Sequence, residues 1–400
     1  YAQRYIDSFH EDVLALGLAL PDVEPRVSTS IPAIQDMIGS LVERGHAYAT
    51  NGNVWFSVTS NANYGHLSGQ KPDELRSADP QDGKRHPADF ALWKANKPGE
   101  LSWDSPWGAG RPGWHIECSA MACEHLGQTI DIHGGGLDLV FPHHENEVAQ
   151  SECAHGKKYV RYWMHNGLLN SSTGEKMGKS MGNVFNIRAA LTQFPAESIR
   201  LYYLQNHYRS PLPWGDDALP DALAMLARLY EARELAEAMG GEEDPDLVAH
   251  GLGADAIKVL ELGRTFTERL YSAMDDDFNT ARALGMVFEL ARSINRMSAS
   301  KNARKRGAPV VAPALAGFAL LSEAVGLMGM PVEDFQEEVK DKRLAAMGVE
   351  RSAVEALLTQ RTEARLSKDW AQADALRGQL DGLGIVVMDR PDGAQWRVRL

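Results

Sequence analysis

Two imidazoles and two carboxylates lie within five consecutive positions of this chain, as His143, His144, Glu145 and Glu147. If a helix begins here, His143 and Glu147 are four residues apart and share one face. That spacing is typical of metal ligands. Cys118 lies upstream, and a thiolate, an imidazole and a carboxylate together suit zinc with one coordination position left open. The pattern predicts a zinc site formed by Cys118, His143 and Glu147.

The residues by themselves leave two points about this site open. Glutamate is favoured in the first turn of any helix, so His143 and Glu147 are also compatible with a solvated helix start. A fourth protein ligand is not obvious. Cys123 and Cys153 are candidates, but a free cysteine is more often part of a hydrophobic core.

A second group of residues suits phosphate chemistry. Lys176 and Lys179 lie three apart in the glycine-rich segment 174–183, between a predicted strand and a predicted helix. Such a loop can close over a triphosphate and neutralise charge that develops on the pyrophosphate. It lacks the Walker A pattern, and a flexible basic surface loop is the alternative. The glycine run 134–136 also allows close approach of a ligand, or forms a tight structural turn.

The elements that must position these residues alternate between helix and strand. We predict a helix over 116–126, a strand over 129–133, a loop at 134–136, a helix over 142–155 and a strand over 162–165. This order is typical of an α/β fold with a parallel sheet and sites at the strand C-termini. Residues 1–50 have helical periodicity, 54–58 are a predicted strand, and 60–112 resemble an irregular insertion.

The rest of the chain is predicted to be mainly helical. Ala/Leu-rich segments at 218–240, 254–274, 279–298 and 313–329, joined by an acidic linker at 240–245 and a basic linker at 301–306, indicate a helical bundle. The last 50 residues form a small unit, with helices from about Ser352 and Trp370 and short strands around 385–387 and 395–398.

Composition restricts the function classes. The net charge of −13 argues against indiscriminate binding of nucleic acid, although residues 151–200 carry 7 Lys/Arg against 3 Asp/Glu. Three cysteines are too few for a disulfide framework, which favours a reducing, cytosolic setting. No run of about 18 apolar residues and no signal peptide is evident, so no membrane association is expected.

Several segments together resemble the cysteinyl-tRNA synthetase family of class I aminoacyl-tRNA synthetases. They are residues 110–121, 131–136, 141–147, 176–180, 274–280 and 368–374. The resemblance implies a Rossmann-type parallel sheet with a connective insertion, followed by a helical bundle and a small α+β anticodon-binding unit. The implied segments are 1–18 (end of the first Rossmann half), 19–108 (connective insertion), 109–165 (second Rossmann half), 166–217 (lysine loop and stem-contact region), 218–335 (bundle) and 350–400 (anticodon-binding unit).

The resemblance also implies an activity and its residues. ATP, used with Mg²⁺, would activate cysteine as cysteinyl adenylate, and the cysteinyl group would pass to the 3′ end of tRNA(Cys). Lys179 and Lys176 would act in catalysis and bind ATP together with Ser180, in a loop where Gly178 departs from the family's Lys-Met-Ser-Lys-Ser pattern. Trp114 and His133 would line the cysteine pocket. One zinc ion would be held by Cys118, His143, Glu147 and a further cysteine from an N-terminal segment that this chain lacks.

The same resemblance implies a cytoplasmic monomer, and it leaves two alternatives. A mycothiol-pathway cysteine ligase has a similar catalytic core but needs no anticodon reader. A truncated, non-catalytic protein that binds zinc or tRNA is the other, because Tyr1 would start about a fifth of the way into such an enzyme and the His-x-Gly-His signature is missing. In the last unit, Trp370, Trp396, Arg397 and Arg399 are candidates for contacts with unpaired bases, or else belong to a small core and a solvated tail.

Overall fold

The computed structural model of the chain describes residues 1–71, 83–171, 186–390 and 393–400. It divides into two compact units. The smaller unit is Pro21–Leu168, and the larger unit combines Tyr1–Leu20 with Leu169–Leu400. Helix α1 (Ala2–Ala15) belongs to the larger unit, where Arg188 forms ion pairs with its Glu11 and Asp12.

The smaller unit contains an antiparallel sheet and a parallel strand pair, joined by helices. In chain order its elements are α2 (Ile31–Glu43), β1 (Ala47–Thr50), β2 (Asn53–Phe56), β3 (Phe90–Ala95), β4 (Gly110–Pro112), α3 (Trp114–Leu126), β5 (Ile130–Gly136), α4 (Glu145–His155) and β6 (Val160–Asn166). The antiparallel sheet has the order β1-β2-β3-β4, and β5 pairs with β6 in parallel.

Apolar side chains of the helix α2 supply one side of the core of this unit. Ile34, Ile38 and Leu41 recur at helical spacing and are fully buried against residues of the sheet such as Phe56 and Trp93. Helices α2, α3 and α4 pack against one another. This packing holds α3 and α4, which carry the predicted metal ligands, in fixed positions.

Parts of this unit differ from the predictions. The supposedly irregular insertion contains β3 and β4, and β1 ends the region predicted to be helical. Both differences arise from strands of three to six residues, which are too short for a clear alternation. The predicted loop at 134–136 is the end of β5, because Gly134, Gly135 and Gly136 pair with Met164, His165 and Asn166 of β6.

The larger unit is mostly helical. Besides α1 it contains β7 (Leu169–Ser171), α5 (Ile187–Gln193), α6 (Ala196–Leu204), β8 (Leu212–Trp214), α7 (Ala218–Glu237), α8 (Pro245–Leu252), α9 (Ala254–Arg264), α10 (Phe266–Met274), α11 (Thr280–Ser298), α12 (Lys301–Arg306), α13 (Ala308–Val325), α14 (Val332–Met347), α15 (Arg351–Leu366), α16 (Trp370–Gly382), β9 (Ile385–Arg390) and β10 (Gly393–Val398). The helices from about Ser352 and Trp370 and the two last strands are confirmed. The segment 254–274 forms two helices, the basic linker is helix α12, and α8 and α14 were not predicted.

The motif at 274–280 forms the junction between α10 and α11. Asp277 and Phe278 have positive φ angles of 55° and 53°, and the Asn279 side chain caps α11 by accepting from the backbone N–H of Arg282. Asp277 also accepts hydrogen bonds from Tyr208 and Arg209. The motif therefore has a structural role in reversing the chain between two helices.

One helix among the described residues, α13, is long and apolar enough to cross a membrane by length and composition alone. Its buried side chains include Val310, Val311, Phe318 and Leu321, which lie in the hydrophobic core of the bundle. Helix α13 packs mainly against α9 and α7. Packing inside the bundle thus accounts for its apolar composition.

Candidate metal centre

The helix start at 143–147 is buried, although its residues are all polar. His143, His144, Glu145, Asn146 and Glu147 each expose 4% or less of their surface. Buried polar groups need partners, so such a run costs stability unless every group is bonded or holds an ion. A solvated helix start, the alternative left open by the sequence, is therefore wrong for this segment.

Cys118, His143 and Glu147 come together as the sequence predicted. One potential ligand atom from each residue lies within 4.8 Å of the others. Cys118 lies on α3, Glu147 on the first turn of α4, and His143 in a single π-helical turn, Val140–His144, that leads directly into α4. The packing of α3 against α4 brings the thiol to the two other side chains.

The two oxygens of Glu147 have different surroundings. Oε2 accepts hydrogen bonds from His133 Nε2 at 2.8 Å and from Tyr159 Oη at 3.1 Å. Oε1 lies 2.8 Å from His143 Nε2, but it has no aligned hydrogen bond and is fully buried. A buried carboxylate oxygen without an aligned donor is an available ligand position for a cation.

His143 is held from its other ring nitrogen. Its Nδ1 lies 2.8 Å from His115 Nδ1, and its ring stacks on Trp114 at a centroid distance of 4.1 Å. Histidines that bind metals commonly use one nitrogen for the metal and the other for such a supporting hydrogen bond. The Nε2 atom, which faces Glu147, is the one left for a metal.

The pKa values in the site suit a bound cation. Burial raises the pKa of the Cys118 thiol to about 12, and the Glu147 charge adds to this, so a nearby cation is needed to hold the thiolate form. Burial by itself would also raise the pKa of Glu147, but the hydrogen bond from His133 and the nearby His143 ring outweigh it and lower that pKa to about 2. Burial, followed by the charge on His143, lowers the pKa of His115 to about 4, so that ring is neutral at physiological pH.

A second set of potential ligands shares Glu147. His133, His144 and Glu147 also bring ligand atoms within 4.8 Å of one another. The second set has no thiolate, and the Glu147 oxygen on its side, Oε2, already accepts from His133 and Tyr159. A soft ligand and a free oxygen make the Cys118 set the better match to zinc.

Several residues of this centre were missed by the sequence reasoning. His115, His144, Tyr159 and Trp163 contact predicted site residues, and His165 contacts His144. His165 lies near the C-terminal end of β6, where a site was expected in a parallel sheet, so its position gave a usable signal. The sequence carries no such signal for Tyr159 and Trp163, because aromatic residues of this kind are also typical of a buried strand.

The predicted pocket residues Trp114 and His133 flank the centre. Trp114 stacks on His143 and is 57% exposed, so part of its indole ring remains open to a ligand. His133 lies on β5 and bonds to Glu147. Lys176, Lys179 and Ser180 lie outside the described residues. Among the described residues, Cys123 and Cys153 belong to no cluster of potential metal ligands, and Cys123 lies 3.4 Å from His155 Nε2.

The candidates for base contacts in the last unit divide into two groups. Trp396 is 8% exposed and belongs to a small core, while Arg397 pairs with Glu231 and Glu234 and Arg399 pairs with Asp381. These three residues fit the alternative of a small core and its surroundings. Trp370 is 58% exposed at the start of α16 and remains a candidate.

Three family models match successive parts of the chain. Residues 1–224 match the class I (C) tRNA synthetase catalytic domain, residues 269–330 match the DALR domain, and residues 351–397 match the cysteinyl-tRNA ligase anticodon binding domain. In the solved methionyl-tRNA synthetase of Mycobacterium tuberculosis with methionyl-adenylate, the same fold covers 88% of this chain and 81% of that one, with a TM-score of 0.59 and 14% identity. This confirms the predicted class I fold.

Curated relatives match over the whole chain. The cysteine–tRNA ligase of Pelobacter propionicus is 43% identical over 405 residues, which cover 100% of this chain and 82% of that protein. The cysteine–tRNA ligase of Alkalilimnicola ehrlichii is 47% identical over 400 residues, with 99% and 80% covered. Matches of this extent leave one conclusion, which the buried thiol, imidazole and carboxylate support: this chain belongs to the cysteine–tRNA ligase family.

Proposed function

We propose that Cys118, His143 and Glu147 hold a zinc ion by which this cysteine–tRNA ligase selects the thiol of its substrate. The observation that carries the proposal is the free, buried Oε1 of Glu147 beside an imidazole and a thiol within 4.8 Å. When bound, zinc supplies a soft Lewis acid that prefers a thiolate to the hydroxyl of serine. These three ligands, together with the further cysteine that the family resemblance implies, would still let zinc take the substrate thiol, because catalytic zinc can expand to five ligands.

Residues around these ligands have distinct roles in the proposal. Trp114 forms an apolar wall beside His143 against which the short cysteine side chain can pack. His133 and Tyr159 hold Oε2 of Glu147, which keeps Oε1 directed at the ligand cluster. His115 fixes the ring of His143 from its far side. A site so arranged can reject serine by differential binding, without an editing step.

Metal analysis tests the ligand set. Purified Cys118→Ser and His143→Ala should each lose the single equivalent of zinc that we expect in the wild type, because each removes one of three protein ligands. Cys123→Ser is the matched control, since Cys123 lies on the same helix and outside the cluster. A full equivalent of zinc in both Cys118→Ser and His143→Ala would refute the assignment.

The lysine segment completes the proposed activity. We assign the binding of ATP, with Mg²⁺, to Lys176, Lys179 and Ser180. The two lysines would neutralise charge on the pyrophosphate while the cysteine carboxylate attacks the α-phosphorus. No covalent intermediate on the protein is needed. The match of residues 351–397 to an anticodon-binding domain supports tRNA(Cys) as the acceptor, and not the small acceptor of a mycothiol-pathway ligase.

Substitution of the lysines gives a separate kinetic result. Lys179→Ala is expected to lower the rate of cysteine-dependent ATP–pyrophosphate exchange about 10²-fold, because a cation is lost where charge develops. Lys176→Ala should have a smaller effect, and the zinc content of both variants should remain that of the wild type. Equal exchange rates for Lys179→Ala and the wild type would contradict the role. A monomeric state and a cytoplasmic location stay predictions.

A further inference from the structure

The polar run at 143–147 also contains two buried residues, Glu145 and Asn146, that are not among the proposed metal ligands. Residues advance by about 100° each around an α-helix, so within α4 the side chain of Glu145 points about 160° away from that of Glu147. Glu145 is nevertheless 1% exposed and Asn146 is 2% exposed. Glu145 does not belong to a cluster of potential metal ligands among the described residues. Their burial therefore needs another explanation.

The partner of both residues is a loop of the smaller unit, residues 64–68, which we call the clamp loop. The backbone N–H of Gly65 donates to Glu145 Oε1 at 2.9 Å, and that of Ser68 donates to Oε2 at 2.7 Å. Tyr64 Oη donates to Asn146 Oδ1 at 2.6 Å. One carboxylate thus receives a donor on each oxygen, and both donors belong to a single turn of chain. Hydrogen bonds to an ionised carboxylate are about twice as strong as neutral ones.

The clamp loop is itself a rigid partner. Gly65 has a φ angle of +94°, and a Cβ atom there would lie 1.8 Å from the carbonyl oxygen of Gln70, so only glycine fits. The N–H of Gly69 donates to the carbonyl of Gly65 at 2.8 Å, which closes the turn. Tyr64 is 8% exposed and packs in the core of the unit. A loop fixed in this way can hold the start of α4 in one orientation.

We propose that Glu145 is a positioning residue for the zinc site: the clamp loop, by binding Glu145 and Asn146, sets the rotation of the first turn of α4 and so directs His143 and Glu147 at Cys118. The inference rests on the proposed zinc site. The helix start thus combines two tasks, since His143 and Glu147 supply ligands while Glu145 and Asn146, between them in the chain, are anchored. Anchoring lowers the reorganisation needed for binding, and supporting groups of this kind commonly change metal affinity by about 10- to 100-fold.

Zinc competition tests the proposal in the full chain, with a chromophoric chelator and the metal alone as the probe. Glu145→Gln places an amide N–H₂ against one of the two backbone donors, and we expect its Kd for zinc to rise about tenfold. Its KM for cysteine should rise while its KM for ATP stays unchanged. Glu124→Gln is the matched control, because Glu124 is an exposed carboxylate on α3 outside the cluster. We expect wild-type zinc affinity from it.

The outcomes separate positioning from a purely structural role. A folded Glu145→Gln with a lower melting temperature but wild-type zinc affinity would overturn the proposal. If Glu145→Gln does not fold, Tyr64→Phe decides, since it removes only the bond to Asn146: a rise in Kd supports positioning, and an unchanged Kd overturns it. Absence of zinc from the wild type would instead refute the zinc site, and this inference with it.

Discussion

Glu147→Gln is expected to lower kcat/KM for cysteine in ATP–pyrophosphate exchange by about 10³-fold, near the upper end for loss of one group that organises charge in a site. The substitution keeps the size of the side chain but removes its charge. It also replaces one of the two oxygens by an amide nitrogen. That oxygen is either Oε1, which faces His143, or Oε2, which accepts from His133 and Tyr159. We expect the zinc content to fall well below one equivalent in the same preparation.

The discrimination against serine should fall together with the activity, because we propose that the same ligand set selects the thiol. Tyr159→Phe serves as the graded control, since it removes one donor to Oε2 and leaves the charge in place. Its expected loss is about tenfold. If Glu147→Gln kept zinc and an activity within about threefold of the wild type, Glu147 would be a structural residue and not a ligand.

Glu197→Leu is expected to lower the free energy of unfolding of the larger unit by about 3 kcal/mol, because two buried donors lose their acceptor. Glu197 is 2% exposed on α6, accepts from Tyr230 Oη at 2.7 Å and also accepts from the backbone N–H of Met328. Met328 has a φ angle of +63° in the loop between α13 and α14. Urea unfolding followed by circular dichroism measures the change.

Glu197→Gln is the isosteric control and also tests the charge. Burial, opposed by the hydrogen bond from Tyr230, raises the pKa of Glu197 above its ordinary value of 4.5. The folded state therefore binds this proton more tightly than the unfolded chain does. The stability contribution of Glu197 should decrease as pH rises from about 4.5 through the higher folded-state pKa. Glu197→Gln should lack this dependence and lose about 1 kcal/mol at neutral pH. Equal stability of Glu197→Leu and the wild type would contradict the prediction.

The proximity of His143 and Glu147 within the proposed ligand set could be predicted from sequence because its information is local. His143 and Glu147 lie on one helical face, and a cysteine is chemically distinct wherever it occurs. The orientation of each ligand could not be predicted. It depends on His115, His133 and Tyr159, which reach the centre through tertiary packing and leave no fixed spacing in the sequence.

The strands show a similar limit. The parallel pairing of β5 and β6 followed from the alternation of helices and strands, whereas the glycine end of β5 looked like a loop. Glycine has a low strand propensity, but a Cβ at Gly135 would lie 2.6 Å from Cε1 of His144. Close packing of a histidine against the strand thus selects glycine there.

In the last unit, charged neighbours such as Glu231 and Glu234 bind Arg397, which a count of basic residues does not reveal.

The shared carboxylate of Glu147 also restricts how this chain can diverge. His133 and His143 lie on different elements but act on opposite oxygens of one side chain. Substitutions at residues with a common partner are not additive in their effects. A change at one histidine therefore alters which replacements the other tolerates. We expect the two positions to change together when related sequences diverge.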